Sequence, residues 1–286
     1  MEIIVGKTSG FCQGVAFTIK KATEYLNEAN KNNEKLYCLG EIVHNERIIE
    51  KFKNDGLIFV NDLSEIPKGS KVIFRAHGER KEIYELAKER NIEVLDLTCG
   101  KVRAVKNKVV NANDDSIIIV FGKKDHPETV GTFSFCKDGF IIESEEDFEI
   151  VKNNISKYDK NKIFVVEQTT FNEELFNKYS NKLKDMFSNY EIIIEKTICN
   201  ATHERQEETA KIAKDVDCMI IIGGKKSSNT KELYNVAKES CDNSFLIQDA
   251  NDLNDINLDS SKCDKVGIMA GASTPEDVVN EVIERL

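Results

Sequence analysis

Three of the eight cysteines, Cys12, Cys99 and Cys199, stand beside Gly or Thr where a short apolar run gives way to a helical pattern. Three thiolates converging from distant parts of the chain could hold an iron–sulfur cluster. Four would saturate a four-iron cluster; three leave one iron open to act as a Lewis acid toward a substrate oxygen. No two cysteines form a C-x-x-C pair, so zinc ribbons, ferredoxin-type loops and thioredoxin motifs have no support. An isolated Cys is usually a small buried hydrophobe. Cys38, Cys136, Cys218, Cys241 and Cys263, most of them in or beside apolar runs, are assigned that role.

Three of the four histidines, His44, His77 and His126, fall at similar junctions and suggest donors to an anion, because imidazole can carry charge near neutral pH. The fourth, His203, lies in a stretch rich in Glu and Arg and is read as a solvated surface residue. Ser227-Ser228-Asn229 follows an apolar run and Gly223-Gly224, and a helix opening there would offer backbone amides and hydroxyls to an anion. Ser273 and Thr274 precede Pro275 and have the pattern of a helix cap with proline in the first helical position. Glu128, between His126-Pro127 and a helical stretch, is either a first-turn glutamate favoured by the helix dipole or a proton donor. Gly6-Lys7-Thr8 lacks the upstream glycine of a P-loop, and no G-x-G-x-x-G motif supports a dinucleotide.

These residues need elements to position them. The runs Ile3–Val5, Lys71–Phe74, Ile117–Phe121, Ile163–Val166, Glu191–Ile194, Cys218–Ile222 and Lys265–Met269 are short and rich in Ile and Val, as buried parallel strands are. Glu82–Arg90, Glu173–Phe187, Thr202–Lys214 and Lys231–Glu239 have helical spacing. The alternation predicts an α/β fold with mostly parallel sheets. Polar junctions recur in the order cysteine, polar cluster, polar cluster. The second junction comes 27 to 32 residues after each cysteine and the third 65 to 74. This spacing predicts three pseudo-equivalent α/β units, residues 1–97 with Cys12, 98–195 with Cys99 and 196–286 with Cys199. Ligands of such sheets bind beyond the carboxyl ends of the strands, so the nine junctions could face one central cavity.

Lys and Arg number 40 against 50 Asp and Glu, a net charge of −10, which argues against nucleic-acid binding. A small anion needs only a local positive field in a cleft. No apolar stretch reaches the roughly 20 residues of a membrane span. Met1–Gly10 lacks the pattern of a secretory signal, so the expected compartment is the cytoplasm, where thiols stay reduced.

From Gly10-Phe11-Cys12 to Ser273-Thr274-Pro275-Glu276 the chain resembles the reductase family that converts 4-hydroxy-3-methylbut-2-enyl diphosphate into isopentenyl and dimethylallyl diphosphate. The most specific matches are His126-Pro127-Glu128 with Gly131-Thr132, Glu167-Gln168-Thr169-Thr170, Ser227-Ser228-Asn229, and Thr197-Ile198-Cys199 with Ala201-Thr202 and Arg205-Gln206. The resemblance implies a trefoil of three α/β units around a 4Fe-4S cluster held by Cys12, Cys99 and Cys199, with the fourth iron open to the substrate hydroxyl. It implies the last step of the methylerythritol phosphate pathway, with ferredoxin or flavodoxin as electron donor and no nucleic-acid or membrane partner. His44, His77, His126, Ser227, Ser228, Asn229 and Ser273 would hold the diphosphate. Thr169 and Glu128 would lie near the hydroxymethyl end, Glu128 supplying protons. An iron–sulfur dehydratase with an open iron is the alternative, distinguished by its lack of net redox chemistry. Gly100 departs from the family's usual Pro after the second cysteine and relaxes a backbone restraint there; Gln13 and Asn200 are further departures.

Overall fold

The computed structural model describes residues 1–256 and 263–286, and every apolar run named above forms a strand. The chain opens with β1 (Glu2–Val5) and α1 (Gln13–Lys31), followed by β2 (Leu36–Leu39), α2 (Glu46–Asn54), β3 (Ile58–Val60), β4 (Lys71–Phe74), α3 (Lys81–Glu89) and β5 (Glu93–Asp96). Then come α4 (Gly100–Ala112), β6 (Ser116–Phe121), α5 (Pro127–Phe133), β7 (Gly139–Ile142), α6 (Asp147–Asn154), β8 (Lys162–Glu167), α7 (Glu173–Met186) and β9 (Glu191–Ile194). The last part holds α8 (Asn200–Ala213), β10 (Cys218–Ile222), α9 (Ser228–Lys238), β11 (Ser244–Ile247), β12 (Lys265–Ala270) and α10 (Glu276–Arg285).

Among the described residues all strand pairs are parallel, in three four-stranded sheets ordered β3-β2-β4-β5, β7-β6-β8-β9 and β1-β12-β10-β11. Read from its second strand, each sheet has the same order: second, first, third, then one further edge strand. The inner strands β2, β6 and β10 are buried throughout, as parallel strands covered on both faces must be. Along β6, Ile117, Ile119 and Phe121 enter one core cluster while Ile118 and Val120 enter another. Along β10, Ile220 and Ile222 separate in the same way from Met219 and Ile221. This is the period-2 alternation of a strand with two buried faces.

One expected boundary needs correction. Residues 2–5 do not join β2–β5; Glu2, Ile3, Ile4 and Val5 pair with Lys265, Val266, Gly267 and Ile268. Local Ile/Val content marks a strand but carries no information about its partner, and here the partner lies at the far end of the chain. The repeat is thereby rephased. Cys99 follows edge strand β5, Cys199 follows edge strand β9 and Cys12 follows edge strand β1, so each cysteine comes directly after the edge strand that lies beside the third strand of its sheet.

By internal contacts the chain forms two compact units, one of Met1–Phe17, Val43–Phe52 and Cys199–Leu286, the other of Thr18–Ile42 and Lys53–Ile198. Among the described residues no helix is long and apolar enough to cross a membrane.

Candidate active site

In the unit that contains both chain ends, two cysteines sit at helix starts. Cys12 immediately precedes α1; its amide donates to the Ala272 carbonyl at 3.1 Å and its Sγ accepts from the Val15 amide at 3.4 Å. Cys199 is the N-cap residue of α8, and its Sγ lies 3.1 Å from Thr202 Oγ1. Open amides at a helix N-terminus favour negative charge, and the thiolate is the metal-binding form of cysteine. The turn leading to Cys12 passes through Gly10 at φ +94°, a left-handed conformation that favours glycine. Side chains of α8 hold this turn. Glu208 accepts from the Lys7 and Thr8 amides at 2.8 Å each and from Thr8 Oγ1 at 2.6 Å, and Arg205 donates to the Gly10 carbonyl at 2.7 Å.

The same unit builds a polar cradle. Helix α9 starts at Ser228, and the Ser227 Oγ accepts from the Thr230 amide at 3.2 Å as its cap. That contact uses an acceptor lone pair and leaves the Ser227 O–H proton available to a ligand. A side chain at Gly224 would place its Cβ 2.1 Å from the His44 carbonyl oxygen, and Ser273 Oγ donates to that same oxygen at 3.4 Å. His44, Gly224 and Ser273 are therefore packed together. Asn229 is 5% exposed, and its side-chain amide nitrogen is buried with no hydrogen-bond partner among the described residues, as is Thr230 Oγ1. A buried unpaired polar group costs about 1–3 kcal/mol, so such atoms mark a place where an acceptor belongs. The cap expected before α10 differs in detail. Pro275 occupies the cap position, not the first helical one, and the Thr274 hydroxyl donates to the Ile222 carbonyl at 3.0 Å. The buried β10 carbonyl outcompetes a solvent-side cap for that hydroxyl.

In the other unit, His126 caps α5, with Pro127 in the first helical position and Nδ1 accepting from the Glu128 amide at 3.2 Å. With Nδ1 accepting, Nε2 is the ring nitrogen that can act as a donor. His77 lies beside it, the two rings perpendicular with centroids 5.4 Å apart. Cys99 is the N-cap residue of α4, and its amide donates to the Ala76 carbonyl at 2.9 Å.

Glu128 is 2% exposed. Its Oε1 accepts from the Thr169 amide at 2.5 Å and its Oε2 from Thr169 Oγ1 at 2.9 Å. Burial pushes its pKa up to about 7, with the two Thr169 bonds pulling the other way. The group is thus poised to exist as a neutral acid near neutral pH. The structure brings Glu128 and Thr169 together directly.

Glu167 is a second buried carboxyl in this unit. One oxygen accepts from the Thr197 and Ile198 amides at 3.0 and 2.9 Å, while the other is buried without a partner among the described residues. Burial raises its pKa to about 7, opposed chiefly by those two amides. In the unfolded chain the carboxyl titrates near its ordinary value of 4.5, so the folded state holds the proton more tightly. Stability from this group is therefore present below about pH 4.5 and is lost as pH rises through about 7. The expected loss is on the order of 3 kcal/mol at most. Glu128 contributes with the same sign, so the test compares parent with Glu167→Gln. Urea unfolding at pH 5 and pH 7.5 should show a smaller pH difference in the variant, and equal differences would refute the assignment.

The remaining cysteines have a different character. Cys38, Cys218, Cys241 and Cys263 are buried, and burial pushes the thiols of Cys38 and of half-buried Cys136 up to about 12 and that of Cys218 up as well. Cys12, Cys99 and Cys199 are half-buried, and each stands at a helix start.

Comparison with known proteins decides the family. The sequence model of the family described as LytB protein matches residues 3–286. The chain belongs to the LytB family. Among its LytB relatives, the 4-hydroxy-3-methylbut-2-enyl diphosphate reductase of Clostridioides difficile (strain 630) is 38% identical over 285 residues, covering 99% of this chain and 98% of the relative. The protein of the same name from Aquifex aeolicus (strain VF5) is 36% identical over 292 residues, covering 100% and 96%. A solved structure of (E)-4-hydroxy-3-methyl-but-2-enyl diphosphate reductase, the terminal enzyme of the non-mevalonate pathway, is 35% identical with a TM-score of 0.69 and covers 100% of this chain and 99% of its own. The E-1-hydroxy-2-methyl-but-2-enyl-4-diphosphate reductase structure from Plasmodium falciparum is 29% identical with a TM-score of 0.88, covering 99% and 87%.

In this LytB chain Gly100 is the first residue of α4, and a Cβ there would meet nothing within 4 Å. The position has room for a larger residue, so Gly is not demanded by packing. Glu208 and Thr230 were not singled out from sequence, and Arg205 and Glu167 stood there only within matched stretches, without a role of their own. The available signal was spacing: Thr202, Arg205, Thr209 and Ile212 share one face of α8 and are all buried, which puts a cation in an inward stripe.

Proposed function

We infer that the chain is an iron–sulfur reductase that converts 4-hydroxy-3-methylbut-2-enyl diphosphate into isopentenyl and dimethylallyl diphosphate. The observation that carries this is the match, over essentially the whole chain, to reductases of that substrate. Two electrons and two protons enter per turnover; the allylic C–O bond breaks, a C–H bond forms and the hydroxyl leaves as water. Ferredoxin or flavodoxin is the proposed electron donor.

Cys12, Cys99 and Cys199 are the proposed ligands of a 4Fe-4S cluster. Their half-buried places at helix starts suit thiolates, whereas the raised pKa of Cys38, Cys136 and Cys218 does not. Such a cluster, when bound, supplies electrons and an open iron that polarises the substrate hydroxyl. The chain's own residues do the rest. Ser227, Ser228, Asn229 and Ser273, with His44, His77 and His126, are the proposed donors to the diphosphate. The α9 amides and the unpaired Asn229 amide nitrogen support this assignment. A local cradle of donors lets a chain of net charge −10 take a strongly anionic ligand. Glu128 holds a proton in a buried site, and the Thr169 amide and hydroxyl keep its carboxyl oriented.

The test is anaerobic incubation of iron- and sulfide-reconstituted protein with the diphosphate substrate and a low-potential reductant. Both isoprenoid diphosphates should appear by mass, with two electrons consumed per product. Loss of water without consumption of reductant would instead identify a dehydratase. Within the cradle, Asn229→Ala is expected to weaken pyrophosphate binding about tenfold or more, the value of one hydrogen bond to a charged group. The cluster's absorbance should be unchanged. Parental pyrophosphate affinity in that variant would place the anion elsewhere.

A further inference from the structure

Arg205 is 4% exposed, yet among the described residues its hydrogen-bond partners are two carbonyl oxygens and no carboxylate. Nη1 donates to Ala201 at 2.8 Å, within its own helix, and Nη2 to Gly10 at 2.7 Å, two residues before Cys12. Its Nε is buried without a partner among the described residues. A buried cation left unpaired by any acid is costly, so its surroundings must supply negative charge when the protein is in its working state. Burial disfavours the charged guanidinium, opposed first by Cys12 and Cys199 in their thiolate form and then by Glu204 and Glu208. Glu208 is already committed to Lys7 and Thr8. Carbonyl anchors at Gly10 and Ala201 flank both cysteines in sequence, so the guanidinium is fastened between the turn carrying one thiol and the helix start carrying the other.

We propose that Arg205 is a positioning residue of the cluster site: a buried cation that ties the Cys12 turn to the Cys199 helix and favours the more negative, reduced state of the group those thiolates hold. This rests on the assignment of Cys12 and Cys199 as ligands. Its charge stabilises added electrons, so removing it makes reduction harder.

The test uses full-length protein reconstituted anaerobically, with midpoint potentials read by redox titration. Arg205→Gln keeps length and polarity but removes the charge, and should make reduction about tenfold less favourable, or about 59 mV lower for one electron. Arg205→Lys keeps the charge and should stay close to the parent. An unchanged midpoint in Arg205→Gln with parental iron content would overturn the proposal. Should Arg205→Gln give no folded or iron-loaded protein, Arg205→Lys decides: restored iron content and potential support the charge, and an equally empty Arg205→Lys overturns it. Cys12→Ser and Cys199→Ser are run in parallel. Full iron content in either would refute the ligand assignment itself, whatever Arg205→Gln does.

Discussion

Replacing Glu128 with Gln is expected to lower turnover about 10²–10⁴-fold, the usual range for loss of a general acid. The substitution preserves shape and keeps an oxygen for the Thr169 amide, but it removes the titrating proton from a site that water does not reach. Iron content and pyrophosphate affinity should stay at parental values, which separates a proton role from a structural one. The pH profile adds a second readout. With a pKa of about 7, set by burial against the two Thr169 bonds, the acid form predominates below that pH. The kcat/KM of the parent should therefore fall as pH rises through about 7, and that limb should be absent from the residual activity of Glu128→Gln. Near-parental turnover in the variant would end the assignment.

The second large effect concerns the thiols. Cys12→Ser, Cys99→Ser and Cys199→Ser should each lose the complete cluster, its visible absorbance and all turnover above background. Cys136→Ser should retain them. The contrast follows from environment: Cys99 stands at the open amides of α4, where negative charge is favoured, whereas burial pushes the Cys136 thiol up to about 12. Anaerobic purification followed by iron and sulfide determination checks it. Damage from Cys136→Ser equal to that from Cys99→Ser would mean that position in a helix start is not what selects the ligands.

The Glu128 case also shows where inference from residue order ends. His126-Pro127-Glu128 advertises a helix start, and the structure places His126 at the cap and Pro127 in the first turn. Nothing in that tripeptide says that the carboxyl is sealed from water against Thr169, 41 residues later, so its protonation state could not be read from it. The same holds for His126, whose Nδ1 is engaged in the cap.

What could be read directly from the order of residues was whatever depends on neighbours along the chain. Short runs rich in Ile and Val gave strands, and 3.6-residue spacing gave helices. The polar clusters between them marked strand-to-helix junctions, including the α9 start at Ser228 and the helix starts beside Cys12, Cys99 and Cys199. Other features required the folded chain because they are set by partners that no local pattern encodes. The ladder between β1 and β12 joins residues more than 260 positions apart and rephases the repeat. Desolvation raises Glu128 and Glu167 to about 7, and it depends on which distant segments exclude water. The orphaned amide of Asn229 and the carbonyl anchors of Arg205 are likewise visible only once packing has removed every alternative partner. Periodicity is a short-range property of a polymer, whereas burial and strand pairing are long-range ones, and the chemistry of this chain is governed by the latter.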